Sequence, residues 1–126
     1  MTISGLQYVE GLITENAGIP YAFHEWKDDL PEGVFAVGDY AEAIMVTREE
    51  DGRQETNFIL RLYTQSDWLS LERAKERIIK NVPKTAILSD GTGIAIFYDS
   101  ATVVPTGDAQ MKSMKINLTI QEWMVK

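Results

Sequence analysis

The sequence predicts an α+β fold: a mainly antiparallel sheet with two helices packed on one face and a long projecting β-hairpin. Two segments, near residues 2–16 and 67–82, place apolar residues every three or four positions, whereas the segments that follow them alternate every two. The strand-like segments are also grouped together, and are not interleaved with helices as a βαβ series requires.

Taken in order, Ile3, Leu6, Val9 or Tyr8, and Leu12 with Ile13 outline one face of an opening helix. Gly18 and Pro20 end it, since Gly accepts the left-handed conformation beyond a helix and Pro cannot continue one. Tyr21 to Trp26 then reads as a short aromatic strand, and Asp28-Asp29-Leu30-Pro31-Glu32-Gly33 as a turn. Val34 to Thr47 and Glu55 to Thr64 are the arms of the hairpin, the second with Phe58, Leu60 and Leu62 on one side. Asp51-Gly52 supplies the tight turn between them, and Gly38-Asp39 predicts a bulge or bend in the first arm.

Ser66-Asp67 offers an N-cap for the second helix, whose stripe is Leu71, Ala74 or Lys75, Ile78 and Val82, ending before Pro83. Its charged face, Glu72, Arg73, Glu76, Arg77 and Lys80, mixes like and unlike pairs and chiefly solvates the helix. Ala86–Leu88, Ile94–Tyr98 and Thr102–Val104 are three short strands separated by Ser89–Gly93 and Asp99-Ser100. The closing segment alternates from Met114 to Ile120, with apolar residues at even positions, and the chain is expected to finish inside the sheet. Glu122 then occupies an even position while Trp123 and Val125 are odd. This predicts a bulge that resets the register or an apolar strand end turned toward a partner.

At 126 residues and 44% hydrophobic content, the chain reads as one domain over residues 1–126, without repeats or linkers. It has no cysteine, which excludes disulfides, thiolate metal sites and a cysteine nucleophile. The opening residues lack the basic flank and apolar run of a signal peptide, and no apolar stretch nears the roughly 18 residues of a membrane span, so no membrane partner is expected. A net charge of -7 argues against clustered contacts to a phosphate backbone.

Catalytic and metal chemistry finds little support. His24 is the only histidine, and Glu25 beside it on a strand would point to the opposite face, so His24 reads as a structural strand residue. The carboxylates fall in turns, and Ser89–Ile94 lacks the alternating ligands of a calcium loop. Gly91-Thr92-Gly93 precedes a strand and not a helix, unlike a nucleotide cradle, and no serine sits in a nucleophile elbow. No cofactor, catalytic residue or metal ligand is therefore assigned. Tryptophans 26, 68 and 123 read first as core residues. The polar tip Arg48–Glu55 reads either as a solvated hairpin end or as an assembly arm.

Gly18–Trp26 after an opening helix, the polar-tipped hairpin running into Phe58–Thr64, and the ending Ile116–Trp123 together resemble the small tail-completion proteins of long-tailed bacteriophages and prophages of Gram-positive bacteria, the tail terminator or minor tail group. The resemblance implies a non-enzymatic structural protein of the virion, present in the host bacterial cytoplasm during assembly. It implies a homo-hexameric ring that meets the tail tube or head connector, with DNA passing through it and not specifically bound. No family motif assigns functional residues. The interface expected from the hairpin tip and the phase break is Arg48, Glu49, Glu50, Asp51, Arg53 and Glu55 together with Trp123 and Val125. The other readings are a binding module that takes a peptide along a strand edge, and a small enzyme with a pocket of Tyr21, Phe23, Trp26 and Tyr40.

Overall fold

In the computed structural model, which describes residues 1–42 and 54–124, the two hydrophobic periodicities become two helices lying on one face of a six-stranded sheet. The first helix, α1 (Ile3–Gly11), starts at Thr2, whose hydroxyl accepts the Gly5 amide at 2.9 Å. It continues as one π-helical turn over Leu12–Asn16, which brings the adjacent Leu12 and Ile13 both into the core. Gly18, at φ 68°, ends it, as the sequence predicts. The predicted stripe is corrected at its first member: Ile3 is 76% exposed, because the buried face begins at Gly5 and Val9.

Strand β1 (Tyr21–Phe23) runs parallel to β2 (Phe35–Glu42), and β2 pairs antiparallel with β3 (Gln54–Thr64). The aromatic strand is shorter than expected. His24 takes φ 70°, outside the extended region, so β1 stops at Phe23 and does not reach Trp26. The expected bulge at Gly38-Asp39 is also absent, since Gly38 pairs with Leu60 and Asp39 with Ile59 in unbroken register. Gly38 serves a different purpose. A Cβ there would lie 2.4 Å from the Tyr21 hydroxyl and 2.8 Å from the Phe58 ring, so the glycine admits two side chains to the core. The turn Asp51-Gly52 and the rest of the hairpin tip lie outside the described residues.

Helix α2 (Trp68–Ile79) is capped by Asp67, which accepts the Ser70 amide at 2.9 Å and the Ser70 hydroxyl at 2.7 Å. Leu71, Ala74 and Ile78 are fully buried, and Arg77 donates from Nε to the Ala17 carbonyl at 2.9 Å, tying α2 to the end of the first helix. The chain then forms β4 (Lys84–Ile87), β5 (Thr92–Val104) and β6 (Lys112–Met124). The two strands expected on either side of Asp99-Ser100 are one. A register shift between Tyr98 and Ser100 leaves Asp99 as the extra residue of a bulge, so a pair that looks like a turn keeps the strand going.

The sheet order is β1-β2-β3-β6-β5-β4. Phe58, Leu60 and Leu62 on β3, Ile94 and Ile96 on β5, and Met114, Ile116, Leu118 and Ile120 on β6 meet both helices in one contiguous core. The opposite face carries the alternate residues of the same strands with no described helix over it; Gly93, Ala95 and Ser113 are buried there and the others are half-buried or exposed.

Candidate interaction surface

The terminal strand holds the feature that the sequence pattern reads as a break. Glu122 does not leave the register: β6 pairs with β3 from Lys112 to Glu122 and with β5 out to Met124. Its side chain points to the core face and is 3% exposed. The carboxylate is tolerated there because the Thr2 hydroxyl donates to Oε2 at 2.5 Å and the Thr2 amide lies 3.2 Å from the same oxygen. Gly5 makes room for it, since a Cβ at that position would stand 2.4 Å from Oε2. No bulge is present, and the phase break predicted at Glu122 is corrected to a buried acid in the regular phase.

Trp123 consequently falls on the helix-free face. Its indole covers Gly93, where an added Cβ would sit 2.2 Å from the ring. Strand β6 is flanked by β3 and β5 as far as Glu122, and beyond it the described partner of Trp123 is Gly93 on the β5 side. Glu55 is exposed on the same face, beside the Gln121 amide at 3.4 Å. Arg48, Glu49, Glu50, Asp51, Arg53 and Val125 lie outside the described residues.

Nor do the tryptophans behave as core residues. Trp68 is 45% exposed at the start of α2, and Trp26 and Trp123 are half-buried. The free edges of the sheet are β1 and β4, the latter with Ile87 68% exposed.

The aromatic pocket considered for an enzyme does not assemble. Phe23 stacks on Tyr40 at 5.8 Å on the helix side, where Tyr21 also lies, while Trp26 meets Phe35 at 5.2 Å and Phe35 stacks on Tyr63 at 5.5 Å on the other side. The sheet itself separates Trp26 from the other three. Burial, reinforced by the carboxylates of Glu10 and Asp39, pushes the Tyr21 phenol above its ordinary range, so it is held neutral. His24 faces Asp39 and not Glu25, with Nδ1 3.3 Å from Oδ1; His24 is largely exposed and Asp39 half-buried. Among the described residues no three His, Asp or Glu side chains gather to hold a metal ion.

The helix-free face carries a mixture of polar, charged and aromatic side chains. Along β6 it presents Lys115, Asn117, Thr119, Gln121 and Trp123, flanked by Ile59, Arg61 and Tyr63 on β3 and by Phe97, Ser100 and Thr102 on β5. Asn117 donates to the Ser100 hydroxyl at 3.1 Å and Thr119 to the bulged Asp99 at 2.5 Å, which fixes the polar middle of the face. The order of these groups depends on strand register and on the bulge at Asp99, neither of which local sequence pattern reveals.

No family model and no curated protein sequence matches the chain. Among solved structures, a chain from the virion of a native gene transfer agent (GTA) particle superposes with a TM-score of 0.68 at 12% identity, covering 95% of this chain and 92% of that one. A second solved chain, which carries no functional name, matches with a TM-score of 0.68 at 15% identity over 100% of this chain and 99% of its own. At these identities the likeness establishes a shared fold, nearly end to end.

Proposed function

We propose that this protein is a structural component of a phage-like virion, acting as a tail terminator or head-tail joining subunit that assembles into a ring and touches the tail tube or connector. The observation that carries the reading is the end-to-end fold likeness to a chain of an assembled gene transfer agent particle. An open sheet face of alternating apolar, hydroxyl and charged groups supports it, because such a face suits protein contact better than catalysis. A ring requires a heterologous interface that closes, with one patch on each side of the subunit. The proposed interface is Arg48, Glu49, Glu50, Asp51, Arg53 and Glu55 with Trp123 and Val125; because Gln54 pairs with Glu122, Glu55 and Trp123 lie at one end of the sheet and count as one patch, and the second patch is left to another part of the subunit. The reading is non-enzymatic and places the protein in the particle and in the host cytoplasm during assembly.

Immunogold labelling of particles released from the producing strain tests this. Gold at the junction between head and tail is the expected result, whereas intact particles free of the protein remove the reading. A position for the gene between those for head completion and the major tail protein is expected as well.

A further inference from the structure

We propose that the helix-free sheet face carries a docking groove for a carboxylate-bearing segment of a partner protein, centred on Arg61 and Lys115. These two cations are register partners on β3 and β6, directly opposite one another. Like charges in that arrangement repel, so the sheet gives up stability to hold them together. Among the described residues neither forms an ion pair, although the chain carries 19 acidic residues against 12 basic ones. They line an open depression of about 590 Å³ whose remaining walls include the hydroxyls of Thr102 and Ser113, the Tyr63 ring and Val104. Two adjacent donors suit a carboxylate pair, the exposed Thr102 hydroxyl can add a further hydrogen bond, and Tyr63 and Val104 give a peptide backbone an apolar wall.

The surroundings select a peptide over a nucleic acid. A second depression of about 490 Å³ adjoins the first through the shared Asn117 and is bordered by Glu55 and Asp99, and Asp39 lies on the same face beyond Ile59. A continuous phosphate backbone leaving the cation pair meets these carboxylates, whereas a short acidic segment ends before them. The proposal does not depend on the virion reading, since it names only the chemistry of the occupant.

The test is an NMR titration of the intact protein with a capped, glutamate-rich peptide, run in parallel with inorganic phosphate and with a short DNA duplex. Saturable shifts at the amides of Arg61, Tyr63 and Lys115 are expected with the peptide, weakening as salt is added. In the R61Q/K115Q double variant the affinity should fall about tenfold or more, equivalent to ~1.4 kcal/mol. K115Q alone relieves the repulsion, keeps the fold and should show part of the same loss, so a misfolded double variant does not decide the matter. Equal peptide binding by K115Q and the double variant overturns the proposal. So does a groove that answers to phosphate or duplex at lower concentration than to the peptide.

Discussion

The hydroxyl of Thr2 donates to the carboxylate of Glu122 at 2.5 Å, joining residues 120 positions apart and clamping the start of the first helix to the last strand. The same hydroxyl accepts the Gly5 amide at 2.9 Å, so one oxygen caps the helix and satisfies a buried acid. Replacing Thr2 with Val keeps the shape and removes both bonds. The expected loss is about 1–3 kcal/mol, combining a missing cap with an under-satisfied buried carboxylate. Thr2→Ser should recover most of it in urea denaturation; equal stability of the Val and Ser variants contradicts the clamp.

Gly93 exists for Trp123. With an added Cβ 2.2 Å from the indole, Gly93→Ala must displace the ring or the strand, at an expected cost of about 1–3 kcal/mol. Combining Gly93→Ala with Trp123→Ala should cost less than the sum of the two single changes, as contacting residues do not add. Strict additivity in a double-mutant cycle shows that the contact is unimportant.

Thr56 is 1% exposed on the core side of β3, and its hydroxyl has no hydrogen-bond partner among the described residues. Thr56→Val removes that group at nearly constant volume. The variant is expected to be neutral or more stable by about 1 kcal/mol in thermal unfolding, and a clear loss means that the hydroxyl is bonded in solution.

Arg61 and Lys115 face one another without an ion pair among the described residues, so neutralising Lys115 to Gln should stabilise the fold by about 0.2–1 kcal/mol at low ionic strength. The gain should shrink in high salt, where the repulsion is screened. A salt-independent effect has another origin.

The Ser70 hydroxyl and amide hold the Asp67 carboxyl below the ordinary carboxylate range. A carboxyl whose folded pKa is depressed contributes stability that is fully present above its unfolded pKa and is lost as pH falls through the folded one. Acid titration of helix content should therefore differ between the native protein and Asp67→Asn only below about pH 4. A difference centred near neutral pH excludes this cap as its source.

What was legible in the sequence follows from what local pattern can report. Phe58, Leu60, Leu62 and the even residues from Met114 to Ile120 reveal the core face because burial on one side imposes a period of two. Gly18 and Asp67 likewise reveal helix ends, since each satisfies a backbone demand within a few residues. Glu122 misleads for the opposite reason: the group that makes its burial tolerable, Thr2, stands at the far end of the chain. Asp99 reads as a turn residue, but strand pairing absorbs it as a bulge, and Gly38 reads as a bend where it only leaves space for Tyr21 and Phe58. The pairing of Arg61 with Lys115 is set by the β3–β6 register alone, so the groove emerges only once the strands are placed.

The assembly reading is tested most directly by light scattering of the concentrated protein, alone and mixed with the tail-tube protein of the same particle. It requires a closed multiple of the 14.2 kDa subunit or a stable complex with the tube protein. A strict monomer that ignores the tube protein contradicts it.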